Sequence, residues 1–240
     1  MPPERTPGLE AAPDEIAVAR AHAVYTPITL SIYDMLVHGL SNRLAWRCPT
    51  ERLLRLYRSN LSENHLEAGV GTGLFLDGTG DGRLGRLVLL DINRRCLEWA
   101  GQRLTRFKPA FRESSLLAPI EPGMARFASV GLTYVLHCLP GKMSEKLVAI
   151  DHLTPLMQRG AVLFGATVLG RGIAPNAAAK MLLDLYNAKG VFSNREDDLA
   201  SLTDGLRQRF GRVEIETKGL VALFRGRLTE LRPCPPWEGH

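Results

Sequence analysis

Cysteine is scarce and scattered in this chain: Cys48, Cys96, Cys138 and Cys234 are the four in 240 residues, with no C-x-x-C pair. That spacing argues against a thiolate zinc site or a disulfide framework and leaves reduced, mostly buried thiols as the expectation. Long apolar runs are missing too. No stretch approaches the roughly 20 residues of a membrane helix. Residues 1–15, rich in proline and charge, lack the apolar core of a signal peptide and read as a mobile tail. A cytoplasmic protein without membrane contact is expected. There is no internal repeat and no dense Lys/Arg tract. At this length, with 45% hydrophobic residues, the chain can bury one full core and has little room for a second large domain.

What is present centres on residues 65–76, His-Leu-Glu-Ala-Gly-Val-Gly-Thr-Gly-Leu-Phe-Leu, followed by Leu87-Val88-Leu89-Leu90-Asp91. Apolar residues run into a glycine-rich turn and then a helical pattern, so a strand ends where a ligand can approach the backbone closely. The glycines fall at Gly69, Gly71 and Gly73 and lack the G-x-G-x-x-G spacing of a pyrophosphate turn. Glu67, just before the turn, would repel a pyrophosphate but suits a ligand carrying sulfonium and ammonium charge. NAD is therefore not expected to bind. Asp91 sits where a carboxylate at the next strand end accepts both hydroxyls of a ribose.

These residues resemble the first motif of class I S-adenosylmethionine (SAM)-dependent methyltransferases, an acidic residue followed by G-x-G-x-G, and the resemblance covers roughly residues 60–227. It implies an α/β fold, a Rossmann-like seven-stranded methyltransferase sheet with helices on both faces and an N-terminal helical extension. It implies SAM as cofactor and S-adenosylhomocysteine (SAH) as product, held by Glu67, Gly69, Gly71, Thr72, Gly73, Asp91, Ile92, Ser115 and Thr133, with no metal. Members of the family commonly turn an Asp or Glu toward the adenine amino group after the third strand; this chain offers Ser115 there, with Glu113 nearby. The expected organisation is a tail over 1–15, a helical lid or substrate segment over 16–59, the SAM-binding domain over 60–230 with a variable helical insertion at 170–194, and a tail over 231–240.

Within that frame, helices are expected over 93–106, 176–189 and 195–210, the fourth strand and its loop over 127–140, and the fifth strand over 156–164. A closing antiparallel hairpin is expected over 213–217 and 220–227, around Lys218-Gly219. Pro49 breaks the preceding helix and Thr50 is a plausible N-cap for the next.

The net charge of +5 raises nucleic acid as a partner. Arg52, Arg55 and Arg58 on one helical pattern, and Arg94, Arg95, Arg103 and Arg106 on another, read as solvated faces interspersed with acidic residues. Residues 133–136, Thr-Tyr-Val-Leu, are not the Asn/Asp-Pro-Pro-aromatic run of enzymes that methylate base amino groups, and Cys138 lacks the Pro-Cys setting of a cytosine nucleophile. A small organic acceptor of specialised, natural-product metabolism is the reading, for a monomer or homodimer. An RNA or protein methyltransferase using the basic helices, or a SAM-binding regulatory protein without turnover, are the alternatives.

Acceptor contacts are expected from Tyr25, Tyr33, Asp34 and His38, in the segment that similar enzymes fold over the substrate, and from Tyr134 and His137 after the fourth strand. Tyr33, Val37, Leu40 and Leu44 fall on one helical stripe that must pack against the domain. Asp34 and His38, four apart, form either an oriented carboxylate–imidazole pair or a surface ion pair. His137, after the fourth strand with Tyr134 beside it, is the first candidate for a general base, and Tyr33 in the N-terminal segment is the other catalytic candidate. A structural or pocket-lining role for His137 is the competing reading. Trp46 reads as a core residue, and the insertion around 176–192 as either a second pocket wall or a contact helix.

Overall fold

The computed structural model describes residues 41–80, 84–121 and 125–230. Tyr25, Tyr33, Asp34 and His38 lie outside the described residues. After a single turn over Asn42–Leu44 the chain buries Ala45, Trp46 and Cys48. Trp46 is 1% exposed and packs on Phe192 with ring centroids 6.0 Å apart, a core residue as expected. Helix α1 (Thr50–Asn60) has Pro49 at its N-cap, one residue before the threonine expected there. The cap position is extended, at φ −56° and ψ 139°, which suits a proline ring, while the Thr50 hydroxyl accepts from Asn42 Nδ2 at 3.3 Å. Leu53 and Tyr57, four apart on α1, point into the core.

The chain continues through β1 (Asn64–Ala68), α2 (Leu74–Asp77), β2 (Arg86–Asp91), α3 (Arg94–Arg103), β3 (Ala110–Glu113), β4 (Phe127–Thr133), α4 (Met143–Lys146), α5 (Val148–Leu153), β5 (Met157–Val168), α6 (Ala177–Ala188), α7 (Leu199–Arg207), β6 (Arg212–Lys218) and β7 (Val221–Arg227). The strands form one seven-stranded sheet in the order β3-β2-β1-β4-β5-β7-β6. β1 to β5 pair in parallel, and β7 runs antiparallel between β5 and β6. β2 shows why the sheet is covered on both faces. Leu87 and Leu89 join Leu53, Tyr57, Leu97 and Ala100 of α1 and α3, whereas Val88 and Leu90 join Ile150, Leu153, Leu202 and Leu206 of α5 and α7. Each such leucine contributes about 1.5–3 kcal/mol by leaving water, so an apolar strand of this kind is stable only between two helical layers.

Three boundaries differ from the pattern. α3 stops at Arg103 and passes into a 3-10 turn, Thr105–Phe107, before Pro109; Asn93 caps its start by accepting from the Arg95 amide at 3.0 Å. β5 runs on to Val168 because β7 pairs along it from Val162 to Val168. α7 begins only at Leu199, where Asp198 Oδ1 accepts from the Ser201 amide at 2.7 Å.

The chain turns outward from β1 in both directions, to β2 and β3 on one side and to β4 and β5 on the other. That reversal opens a crevice at the carboxyl ends of β1 and β4. Many of the arginines that could have formed a nucleic-acid stripe are ion-paired. Arg52 meets Glu216 at 3.3 Å, Arg58 meets Glu51 at 2.9 Å, Arg94 meets Glu98 at 3.0 Å and Arg106 meets Asp77 at 2.6 Å. No helix among the described residues is long and apolar enough to cross a membrane.

Candidate cofactor and acceptor site

The glycine turn leaves β1 with φ of 68° at Gly69, 53° at Gly71 and 73° at Gly73, a left-handed path that side chains resist. At Gly71 an added Cβ would meet nothing within 4 Å, so the backbone there borders open space into which a ligand fits. The turn is held from several sides. The Gly69 amide donates to Leu90 O at 2.7 Å, and Arg103 Nη1 donates to Thr72 O at 3.0 Å. Asp91, at the end of β2, accepts from the Asn93 amide at 2.9 Å on Oδ1 and from the Gly71 amide at 3.4 Å on Oδ2. One carboxylate thus joins the two strand-end turns.

Glu67, 4% exposed at the end of β1, is held at both oxygens. The Tyr57 phenol donates to Oε1 at 2.5 Å, and His65 Nε2 lies 2.9 Å from Oε2. Burial is the main reason the Tyr57 pKa stands well above the ordinary phenol value, reinforced by Glu67 itself, so the phenol keeps its proton. Thr133, at the end of β4, places its buried hydroxyl beside that phenol, yet its distance and angles give Oγ1 no hydrogen bond.

A cavity of about 440 Å³ runs along these strand ends. Asp91, Ile92 and Ser115 line one end, Glu67, the glycine turn and Thr133 its middle, and Tyr134, Leu139 and Phe192 the other end. The residues present fit an elongated cofactor with a diol and a cationic end: a carboxylate at the diol position, a glycine cradle, a second carboxylate and an unpartnered hydroxyl. All nine residues expected to hold the cofactor stand in or beside this turn and crevice. Ser115 lines the wall while its Oγ accepts from the Leu117 amide at 3.1 Å. Glu113 is exposed instead, 3.7 Å from Arg94.

Tyr134, in the cavity wall next to Thr133, adopts φ 61° and donates from Oη to Asn42 Oδ1 at 2.9 Å. Such a conformation is uncommon for a bulky residue and recurs at functional sites. His137 does not line the cavity. It is 2% exposed, its ring packs edge-on against Phe192 with centroids 4.3 Å apart, and Nδ1 accepts from the Val168 amide at 3.2 Å. Burial, and secondarily the Lys146 charge, lower its pKa to about 3.

Asn187 near the end of α6 and Gly190, Phe192 and Ser193 of the loop after it complete the wall. The loop is anchored by residues that no sequence pattern marked. Lys146 Nζ donates to Asp197 Oδ2 at 2.6 Å and to Ser193 O at 2.7 Å, with both charged side chains fully buried. Burial pushes the lysine pKa down and the aspartate pKa up, and the hydrogen bond between them opposes both shifts. Asn194 bonds Asn187 and Val168 O from inside the same loop. Tyr57 and His65 are unmarked as well: Tyr57 meets Glu67 only through the fold, and His65, two residues from Glu67 on the same face of β1, gains its second partner, Ser129, only from β4. A tyrosine four residues after Leu53 reads as apolar helix face and nothing more.

No family model matches the chain. Among curated proteins it is 35% identical over 214 residues to the demethylluteothin O-methyltransferase of Streptomyces thioluteus, covering 89% of this chain and 93% of that protein. It is also 35% identical over 208 residues to the physcion biosynthesis cluster O-methyltransferase of Aspergillus chevalieri, covering 86% and 94%. Among solved structures, the N-methyltransferase NodS of Bradyrhizobium japonicum in complex with S-adenosyl-L-homocysteine resembles it with a TM-score of 0.55 at 20% identity, over 75% of this chain and 85% of that one.

Proposed function

Because the chain belongs to the class I SAM-dependent methyltransferases that act on small molecules, we propose that it methylates an oxygen of an uncharged, largely apolar natural-product intermediate held between Tyr134, Leu139 and Phe192. What supports this reading is one cavity lined by the Asp91 carboxylate, Thr133 and the rings of Tyr134 and Phe192. The oxygen acceptor follows the two relatives named as O-methyltransferases.

In this reading Asp91 accepts the ribose hydroxyls, Ile92 and Ser115 flank the adenine, Gly69 to Gly73 admit the cofactor close to the backbone, and Glu67 faces its cationic amino-acid end. Bound there, SAM supplies a methyl group already activated by its sulfonium. The protein's part is to hold an acceptor lone pair in line with that methyl and to exclude water, effects that supply much of a transfer enzyme's rate. His137 serves the site as a neutral structural residue, holding the end of β5 and backing Phe192, rather than as a proton acceptor. The lid or substrate segment of this reading is residues 16–59, of which Tyr25, Tyr33, Asp34 and His38 lie outside the described residues. In support, within that segment Asn42 Oδ1 accepts from the cavity residue Tyr134, and Leu44 O accepts from Asn176 Nδ2 at the start of α6 at 2.8 Å.

Asp91→Ala tests the cofactor half. It removes charge-assisted hydrogen bonds worth about 1.5–3 kcal/mol, so calorimetry should find SAH bound at least about tenfold more weakly. Unchanged SAH affinity, or saturable NAD binding in the same crevice, would overturn the assignment.

A further inference from the structure

Glu67 does not stand alone. Its carboxylate can only accept, so His65 presents Nε2–H to it at 2.9 Å, and His65 Nδ1 meets Ser129 Oγ of β4 at 2.8 Å. Ser129 is held in turn by the Ser62 amide at 3.0 Å and the Ser62 hydroxyl at 2.8 Å. His65 and Ser129 are fully buried and do not line the cavity, so of this row only Glu67 borders the space a ligand would fill. On the other carboxylate oxygen the Tyr57 phenol reaches in from α1, ten residues earlier in sequence, its ring fixed by Phe75 at 5.7 Å and Phe164 at 5.0 Å. Gly131 opens the space: a Cβ there would lie 2.2 Å from Glu67 Oε2.

A carboxylate lining a ligand cavity yet gripped at both oxygens by buried donors is preorganised, with no rotamer freedom to lose on binding. From this we propose that Tyr57 is a positioning residue for cofactor binding, acting through Glu67 to fix where the cofactor's ammonium-bearing end is received, with His65 as the second support. The inference rests on the reading of Glu67 as the partner of that cationic end.

The test is SAH affinity against the affinity of 5′-methylthioadenosine, which keeps the adenosine and sulfur but lacks the amino-acid end. Tyr57→Phe preserves the ring packing and removes only the hydroxyl. It should weaken SAH by about 5–20-fold while leaving methylthioadenosine within about twofold, with a thermal midpoint close to wild type. His65→Gln, which keeps a donor at the Nε2 position, should retain SAH selectivity that His65→Leu loses. A merely structural Tyr57 would weaken both ligands alike, and that result overturns the proposal, as does no loss for either. Glu67→Gln separates the two layers. If it loses SAH selectively while Tyr57→Phe does not, the proposal alone fails. If it spares SAH, the reading of Glu67 fails and takes the proposal with it.

Discussion

Gly69→Ala is the sharpest test of how the glycine turn is built. The residue has φ 68°, which costs an alanine about 1–2 kcal/mol. The new Cβ would also lie 2.3 Å from Val135 Cγ2, a contact that forces the side chain or the turn to move. Val135 has the core on one side and the cavity on the other, so its stiff β-branched side chain yields only by turning toward the cavity. Overpacking of this kind costs about 1–3 kcal/mol, so the single variant should lose about 2–5 kcal/mol in urea unfolding. Each kcal/mol lowers the thermal midpoint by about 2–4 °C in a chain of this size. Val135→Ala removes the colliding methyl. The double variant should therefore recover the overpacking part and retain the strain, giving a coupling energy of about 1–3 kcal/mol. Val135 also lines the cavity, so SAH affinity should fall in the single variant and partly return in the double. A loss under about 1 kcal/mol, or a double variant whose effects simply add within about 0.5 kcal/mol, refutes the reasoning.

Three further outcomes are expected. Lys146→Met leaves Asp197 as an uncompensated buried charge and should cost about 3–5 kcal/mol; Lys146→Met with Asp197→Leu should regain much of it, as read by denaturant unfolding. His137 stays neutral in the fold down to about pH 3 but titrates near 6.5 when unfolded, so the unfolded chain binds the extra proton between those values. Its stability contribution is complete above about pH 6.5 and shrinks by up to tenfold in the folding equilibrium per unit as pH falls. Wild type should therefore lose stability over that window more steeply than His137→Gln, and matching slopes would contradict the assignment. Removing residues 1–40 should abolish methyl transfer while SAH binds nearly as before; full transfer by the shortened protein rules out the lid. The cut belongs there and not beyond Trp46, because that ring is core.

How much was legible in the sequence varied with the range of the interaction. Gly69, Gly71, Gly73, Glu67 and Asp91 were readable because a strand-end turn is local chemistry: left-handed backbone, a carboxylate before it, and another one strand later. The apolar run of β2 and the helical pattern of α6 were readable for the same reason, as each depends on neighbours a few residues away. Thr50 was misassigned by one position because Asn42, eight residues back, claims its hydroxyl. What His137 does depended on packing, since an imidazole after the fourth strand has the same sequence whether it faces a cavity or the Val168 amide. The clamp on Glu67 brings Tyr57 from α1 and Ser129 from β4 to the His65–Glu67 pair, and the buried pair joins 146 and 197; of these only His65 and Glu67, two apart on one face of β1, keep a strand period. The sequence by itself determined the cofactor turn and the charge of the ligand that suits it, because those follow from backbone sterics and local charge, and the seven-stranded sheet came with the family resemblance that those residues carry. Only the tertiary structure decided which polar side chains face the cavity and which hold the others still, because that choice is made by desolvation and partnering across elements far apart in the chain.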